Sequence, residues 1–191
     1  VYQYPAFIQQ FFIDQLFSGY LLMALEFDFY CPKSYIHKER VQFQCKADTY
    51  TEKTPQTLAR AGANATKMLK AHRQDDYVLG WNNRLGQSGD GYLLFLDIDE
   101  IDEGKVKAAL KDRKGWLFKT GNGFHFVGAK IYPSKREWER RYKQAAKSKK
   151  LKDLIDERHV DFSLRRGYST LRIGKSAEKE FVPFMCWDNS K

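Results

Sequence analysis

The strongest constraint on this fold is a nearly continuous apolar run, Tyr92 to Ile98, that ends in acidic residues. A short run of this kind, bounded by turn-forming residues, is typical of a strand buried on both faces. Residues 82–91 before it are rich in Gly, Asn and Ser, and this composition predicts a loop. We therefore expect a buried strand at the start of a second lobe, with the boundary between the lobes near residue 85.

The segments after this run predict a regular order of strands and helices. The dipeptide Asn122-Gly123 separates two apolar runs, which is the strongest short-range signal for a hairpin. The predicted elements are a helix over 103–113 capped by Asp102, strands over 116–119 and 124–131, a helix from Ser134 to about 150, a strand over 169–173 and a short ending that includes 181–185. This order is the ferredoxin-like (RRM-like) pattern, in which helices cover one sheet face and the first and third strands lie side by side in the middle.

The first half of the chain predicts a smaller lobe. Residues 5–18 have a helical pattern, and residues 20–30 alternate loosely, as in a strand. Thr54-Pro55 opens a helix that runs to about residue 73, with Thr as the N-cap and Pro at the first helical position. The predicted fold class is α+β, with a ferredoxin/RRM-like sheet packed with an N-terminal α/β lobe, and the two lobes span 1–85 and 86–191.

The charge balance favours a polyanionic partner. Lys and Arg outnumber Asp and Glu by 33 to 24, which gives a formal net charge of +9. Such an excess suits nucleic acid or an anionic membrane surface. The apolar stretch 7–30 does not support a membrane span, because it contains Gln9, Gln10, Asp14, Gln15, Glu26 and Asp28. We interpret that stretch as a buried helix followed by a strand, and we expect no membrane partner.

The cysteines indicate neither a disulfide framework nor a zinc site. Cys31, Cys45 and Cys186 are far apart and odd in number, so we expect reduced thiols in a cytoplasmic protein. Cys31, His37 and Cys45 could supply three zinc ligands, but there is no Cys-x-x-Cys pair and no fourth ligand nearby. Zinc is therefore not an expected cofactor.

Strand parity predicts that several polar residues share one sheet face. Side chains on a strand alternate between faces, so the inward aliphatic residues of the first strand turn Asp97 and Asp99 to the opposite face. Two inward phenylalanines on the third strand leave His125 on that face. Inward apolar residues on the last strand leave Thr170 and Arg172 outward. One open face then collects two aspartates, a histidine and an arginine from three strands.

This set of residue types points to phosphoryl transfer. Two carboxylates at i and i+2 on a strand, Asp97 and Asp99, suit Mg²⁺ or Mn²⁺, which prefer carboxylate, phosphate and water oxygens. Two such ions about 3.5–4 Å apart can clamp the attacking and leaving oxygens. Asp161, shortly before the last strand, is the candidate third acid. His125 and Arg172 would then face nucleotide phosphates.

The acidic segment 97–103 has a second interpretation, as a strand end followed by a helix cap. We adopt that interpretation for Glu100, Asp102 and Glu103. It is less suitable for Asp97 and Asp99, because two carboxylates on the same face repel each other unless a cation lies between them.

Three segments, in order along the chain, resemble motifs of the archaeo-eukaryotic primase superfamily, which includes plasmid and viral primase-polymerases. The segments are Phe95 to Asp99, Lys119 to His125, and Val160-Asp161 with the following Tyr168 to Arg172. They are similar to the hydrophobic-Asp-hydrophobic-Asp strand, the nucleotide-binding segment that begins Ser/Thr-Gly and ends in His, and the hydrophobic-Asp motif with its Ser/Leu-Arg strand. The resemblance covers residues 90–175 well and the N-terminal lobe loosely.

The resemblance implies a template-dependent nucleotidyltransferase, a DNA primase or primase-polymerase, whose catalytic sheet uses nucleoside triphosphates and a two-metal site of Mg²⁺ or Mn²⁺. It implies that Asp97, Asp99 and Asp161 are catalytic and bind the metals. It implies that the nucleotide is bound by Thr120, Gly121, Asn122, Gly123, His125 and Arg172. One departure is Gly123, where family members often have Ser, and the zinc-binding cysteines of many members are not recognisable.

The sequence also predicts a surface that binds the template strand and a set of partners. The basic residues that suit this template path are Arg136, Arg140, Lys143, Arg165 and Arg166. Their attraction to phosphate would give sequence-independent, salt-sensitive binding, and a solvated helix face is the alternative. The expected partners are a single-stranded or primed DNA template and NTP or dNTP, with a helicase or an accessory priming domain as a further candidate, in a prokaryotic or viral replication setting.

Two other functions stay open at this point. One is a catalytically inactive primase-like module that binds nucleic acid within a replication complex. The other is a metal-dependent nuclease that uses the same acids.

Overall fold

A computed structural model describes residues 24–30, 40–46, 78–86, 91–173 and 183–191 of the chain. Within these ranges nine strands and three helices form a mixed α/β fold with antiparallel sheets. They are β1 (Ala24–Tyr30), β2 (Arg40–Lys46), β3 (Val78–Leu85), β4 (Gly91–Tyr92), β5 (Phe95–Ile98), α1 (Glu103–Leu110), β6 (Gly115–Lys119), β7 (Phe124–Gly128), α2 (Lys135–Ala146), α3 (Glu157–Arg166), β8 (Thr170–Arg172) and β9 (Phe184–Asp188). None of these three helices is long and apolar enough to cross a membrane.

The first sheet has the strand order β2-β1-β3-β4, and β8 also pairs with β3. In its register Phe27 of β1 lies opposite Trp81 of β3. The predicted strand over 20–30 is confirmed for residues 24–30. The helices predicted over 5–18 and from Thr54-Pro55 lie outside the described residues. The division into lobes at residue 85 stays a prediction, although β4 and β8 from the second half join this sheet.

The loop predicted over 82–91 is wrong at its start, because residues 82–85 continue β3. Asn82 and Asn83 have low strand propensity, but both are buried and hydrogen-bonded. The Asn83 side chain donates to Leu93 O at 2.8 Å and accepts from Ser169 N at 2.8 Å. Tertiary partners that satisfy both ends of the amide therefore override the local turn signal.

The second sheet has the strand order β5-β7-β6-β9. The predicted hairpin is confirmed as β6 and β7, and the predicted first and third strands, β5 and β7, are neighbours. The predicted last strand differs from the ferredoxin-like arrangement, because β8 pairs with β3 of the first sheet instead of β5. β9 extends the second sheet beside β6. Leu171 of β8 lies opposite Trp81, so its apolar side chain packs between the sheets.

The run from Tyr92 to Ile98, predicted as one strand, crosses from one sheet to the other. Tyr92 pairs with Arg84 in the first sheet, whereas Phe95 pairs with Val127 in the second. Between them Leu93 N donates to Asn83 O at 2.8 Å. The run is continuously apolar because the chain stays buried throughout this crossing.

Both faces of the second sheet are covered. One face packs against the first sheet through residues such as Phe95, Phe118 and Val127, with Phe27 and Trp81 opposite them. The other face packs against the helices. The face predicted to be open is the first of these, so the polar residues on it lie at an interface between two sheets.

The predicted helix caps are confirmed for α1 and α2. Asp102 accepts from Lys105 N at 3.1 Å, and Ser134 accepts from Glu137 N at 3.2 Å. α1 ends at Leu110 and α2 at Ala146, a few residues before the predicted ends. On α2 the buried residues Trp138, Tyr142 and Ala145 recur at helical spacing and pack toward the second sheet.

Sequence reasoning missed helix α3. Its N-cap is Asp156, whose side chain accepts from Arg158 N at 2.8 Å, and Glu157 lies in its first turn. It ends at Gly167, which has φ of 80° and caps the helix in the left-handed conformation. These start and stop signals were present in the sequence, where Val160-Asp161 was interpreted only as a hydrophobic-Asp motif.

Candidate active site between the two sheets

Two of the predicted site residues, Asp97 and His125, lie next to each other. They are cross-strand neighbours on β5 and β7, and Asp97 Oδ1 lies 3.7 Å from His125 Nε2. The Asp97 side chain is 32% exposed, whereas His125 is 6% exposed. The pair therefore lies where the buried interface between the sheets opens to solvent. Parity predicted that the two side chains share a face, because both point away from the face that holds Ile98 and Phe124.

Asp99 follows β5 and is exposed. Its backbone N donates to Leu154 O at 2.8 Å, which holds the chain at the end of the strand. The next residues have the structural roles expected for them. Glu100 Oε1 accepts from Ile101 N at 2.9 Å and from Asp102 N at 3.0 Å. A side-chain hydrogen bond from Lys105 lowers the pKa of Glu100.

The turn between β6 and β7 packs closely against the end of β5. Thr120 N donates to Gly123 O at 2.8 Å, and Gly121 and Asn122 are exposed. Gly123 is buried, and a Cβ at this position would lie 2.1 Å from Ile98 O. Any side chain, including Ser, would displace the backbone of the Asp97 strand. The close approach explains why this position is Gly.

Asp161 does not join these acids. It lies on α3 with a side chain that is 52% exposed, and its Oδ2 is 2.9 Å from Arg165 Nη2. Among the residues that the structure describes, no group of three His, Cys, Asp or Glu side chains is arranged to hold a metal ion. The assignment of Asp161 to a metal site stays a prediction.

The structure brings another acid, Asp156, close to the chain at Asp97. Its backbone N donates to Asp97 O at 3.0 Å, and the preceding Ile155 pairs with Ile98. Its side chain caps α3 through Oδ1. Sequence reasoning missed Asp156, although Leu154-Ile155-Asp156 has the same hydrophobic-Asp pattern as Val160-Asp161.

Thr170 and Arg172, predicted to point outward, are buried instead. Thr170 is 4% exposed and Arg172 is 9% exposed, because β8 is covered within the first sheet. Thr170 Oγ1 lies 3.0 Å from Asp28 Oδ2 and 2.7 Å from Asn82 Oδ1. The face of β8 opposite Leu171 therefore belongs to a buried polar network. The nucleotide-binding role of Arg172 stays a prediction.

That buried polar network is centred on the Asp28 carboxylate, which has no exposed surface. Asn82 Nδ2 donates to Asp28 Oδ1 at 2.9 Å, and Arg40 forms an ion pair with Asp28 Oδ2. The partners come from β1, β2, β3 and β8, so the network joins four strands of the first sheet. A buried carboxylate is tolerated here because a cation and two polar side chains compensate for its lost hydration.

His159 links α2, α3 and β8 in a second polar chain. Its Nε2 lies 3.0 Å from Thr170 O, which can only accept, so Nε2 carries the hydrogen. Nδ1 therefore accepts from the Tyr142 hydroxyl, 3.0 Å away. Burial lowers the pKa of His159 to about 4, so the ring is neutral at pH 7.

Acid should weaken the fold through His159. The pKa of a histidine is near 6.5 in the unfolded chain and about 4 at His159 in the folded one. The contribution of His159 to the free energy of unfolding is therefore fully present above pH 6.5 and is lost as the pH falls toward 4. When the pH falls from 7 to 4.5, the unfolding free energy of the wild type should decrease by about 2–3 kcal/mol more than that of His159→Gln. Urea unfolding of both proteins at the two pH values measures this. An equal loss in both would contradict the assignment.

The predicted template-binding residues lie on two helices. Arg136, Arg140 and Lys143 are exposed on α2, with Arg140 Nη2 4.0 Å from Glu137 Oε1. Arg165 and Arg166 lie in the last turn of α3. Arg165 is 70% exposed, whereas Arg166 is half-buried. Their role in binding nucleic acid stays a prediction.

The comparisons with known proteins give one structural relative. Neither a protein-family model nor a curated protein matches the sequence. The crystal structure of primase RepB′ is similar, with a TM-score of 0.50 and 10% sequence identity over 96% of this chain. The chain spans 57% of that protein's length. At this level of identity the likeness shows the fold alone, and the fold of this chain is primase-like.

Proposed function

We propose that this chain is the catalytic core of a primase-polymerase, which adds nucleotides from nucleoside triphosphates to a strand on a DNA template. The observation that carries the proposal is the pairing of Asp97 with His125, 3.7 Å apart, on a sheet edge that reaches solvent. The glycine turn packed against β5 and the primase-like fold support it. A primer 3′-hydroxyl would attack the α-phosphate of the triphosphate and release pyrophosphate.

We propose that Asp97 and Asp99 at this edge would bind Mg²⁺ or Mn²⁺. Asp97 is partly exposed and Asp99 is exposed, so carboxylate oxygens of the kind that these cations prefer reach solvent together. Among the described residues no third acid or histidine completes a metal site, so phosphate and water oxygens would fill the remaining coordination positions. A divalent metal would supply stabilisation of the negative charge on the transferring phosphate.

The remaining residues would bind the nucleotide and the template. We propose that His125, Thr120, Arg172 and the backbone N–H groups of the exposed residues Gly121 and Asn122 hold the triphosphate. The exposed basic residues of α2, Arg136, Arg140 and Lys143, would contact template phosphates without reading sequence. A helicase or an accessory priming domain is a further proposed partner.

A primer-extension assay tests the proposal. The protein would be incubated with a labelled primer on a single-stranded DNA template, with NTPs or dNTPs and with Mn²⁺ or Mg²⁺. We expect products that lengthen only when the template, the triphosphates and a divalent metal are all present. Omission of the primer then tests whether synthesis begins de novo.

Two outcomes would replace the proposal. Shortening of the labelled strand without any need for triphosphates would indicate a metal-dependent nuclease. Template binding without metal-dependent triphosphate binding or extension would indicate an inactive primase-like module.

A further inference from the structure

A group of arginines and tyrosines lies beside the buried polar network, at the edge of the first sheet. We call it the arginine cluster and define it as Arg40, Arg84, Arg166, Tyr30 and Tyr168. The Arg40 guanidinium lies 4.1 Å from the centre of the Tyr30 ring. The Arg84 and Arg166 guanidiniums lie 4.4 Å and 5.4 Å from the centre of the Tyr168 ring. Each of the three guanidiniums therefore lies over a tyrosine ring.

The arginine cluster has more positive charge than its acids neutralise. Arg40 forms an ion pair with Asp28, and Arg84 forms one with Glu26. Arg166 forms no ion pair within the described ranges, and its buried Nε has no hydrogen-bond partner there. Three guanidiniums therefore meet two carboxylates, and the excess charge is on Arg166.

Arg166 lies over Tyr168 but is partly desolvated, close to a second cation and without a carboxylate partner among the described residues. Burial lowers its pKa, and the charge of Arg40 lowers it further. A guanidinium has five N–H donors in a planar fork, and it stays charged in proteins. A partly desolvated charge without a partner costs stability. Arg165, one residue earlier, avoids that cost on the surface through its ion pair with Asp161.

Asp97 lies within electrostatic range of the arginine cluster. The charges of Arg40, Arg166 and Asp97 all act on the pKa of the Tyr30 phenol, which burial raises. The charges of Asp97 and Arg166 both act on the pKa of Tyr142, which burial also raises. Tyr30 and Tyr142 thus lie within range of both the acid of the site and the unneutralised arginine.

We infer that Arg166, supported by Arg40, forms a phosphate-binding site within electrostatic range of Asp97. A phosphate group would accept from the guanidinium fork, as carboxylate and phosphate oxygens do in bidentate pairs, and would neutralise the excess charge. The phosphate could come from the tail of a nucleoside triphosphate or from the backbone of a bound strand. The inference deepens the proposed function and rests on it for the identity of these two ligands.

Binding measurements without divalent metal test the site independently of catalysis. The probes are a nucleoside triphosphate and a short single-stranded DNA, each titrated by calorimetry in EDTA. We expect Arg166→Gln to weaken the binding of at least one probe by about 10- to 100-fold, the usual worth of a hydrogen bond to a charged group. Loss confined to the triphosphate identifies its tail, and loss confined to DNA identifies the strand backbone.

Lys107→Gln is the control, because it removes one positive charge of an i,i+4 ion pair, that with Glu103, from α1, which has no proposed binding role. We expect it to change either affinity by less than about 3-fold. If Arg166→Gln binds both probes as well as Lys107→Gln does, the phosphate site is excluded.

Stability separates a binding role from a structural one. Because Arg166 is an uncompensated cation, Arg166→Gln should melt at or above the wild-type temperature in the absence of ligand. The triphosphate or DNA that occupies the site should raise the melting temperature of the wild type more than that of the variant. A variant that melts well below the wild type and has lost binding would show a structural role for Arg166 and overturn the inference.

The two proposals fail separately. If the wild-type protein binds phosphate through Arg166 but extends no primer, the phosphate site is supported and the proposed function is wrong. If Arg166→Gln extends primers normally and binds both probes at wild-type affinity, the proposed function is supported and the phosphate site is wrong.

Discussion

Primer extension should fall by at least about 1000-fold, or about 4 kcal/mol in transition-state stabilisation, in Asp97→Asn. Asn keeps the size and shape of Asp but removes the negative charge, so it weakens any divalent cation bound at the end of β5. The position is 32% exposed, so the fold should tolerate the amide. The measurement is the initial rate of nucleotide addition with Mn²⁺, with circular dichroism to verify the fold.

Asp112→Asn is the control for this change. Asp112 is an acid with a 66% exposed side chain that forms an ion pair with Lys150. The substitution removes the same charge at the surface, so we expect extension within about 2-fold of the wild type. A folded Asp97→Asn protein that extends primers within about 10-fold of the wild type would contradict the role of Asp97 and, with it, the proposed function.

The second large effect is on stability and concerns Asp28. We expect Asp28→Ala to lower the free energy of unfolding by about 3–5 kcal/mol, the usual cost of removing one partner from a buried ion pair. Three groups would lose their acceptor: Arg40, Asn82 and Thr170. Since a domain of this kind is stable by only about 5–15 kcal/mol, the variant should be close to unfolding. Urea unfolding at pH 7 measures the loss.

The same control residue serves here. Asp112→Ala also breaks an ion pair, but at the surface, and should cost less than about 1 kcal/mol. If Asp28→Ala were no more destabilising than Asp112→Ala, the four-strand network would not stabilise the first sheet. An intermediate variant, Asp28→Asn, keeps hydrogen-bond acceptance and should lose less than Asp28→Ala, which separates the charge from the geometry.

The candidate site could be predicted from the sequence where it depends on strand parity. The alternation of Leu94, Leu96 and Ile98 placed Asp97 on the opposite face of the strand, and the same rule placed His125 on that face. Parity could not show that this face is covered by a second sheet. It therefore predicted an open surface where the structure has the margin of a buried interface.

The third acid illustrates the limit of a motif. Val160-Asp161 and Ile155-Asp156 have the same hydrophobic-Asp pattern, and the two aspartates are five positions apart. Only the pairing of Ile155 with Ile98 distinguishes them, because it places Asp156 beside the backbone of Asp97 and leaves Asp161 exposed on α3. The caps of α3, Asp156 and Gly167, were local signals from which the helix could have been predicted.

The sequence by itself determined the elements whose causes are local. The hairpin at Asn122-Gly123, the caps Asp102 and Ser134 and the facing of Asp97 and His125 follow from turn chemistry, side-chain capping and strand alternation, which act over a few residues. Only the tertiary structure decided that β8 joins the first sheet and that Asp28 and Thr170, 142 positions apart, share a hydrogen bond. Partners that distant are selected by the burial and hydrogen bonding of the whole fold, which no local pattern records.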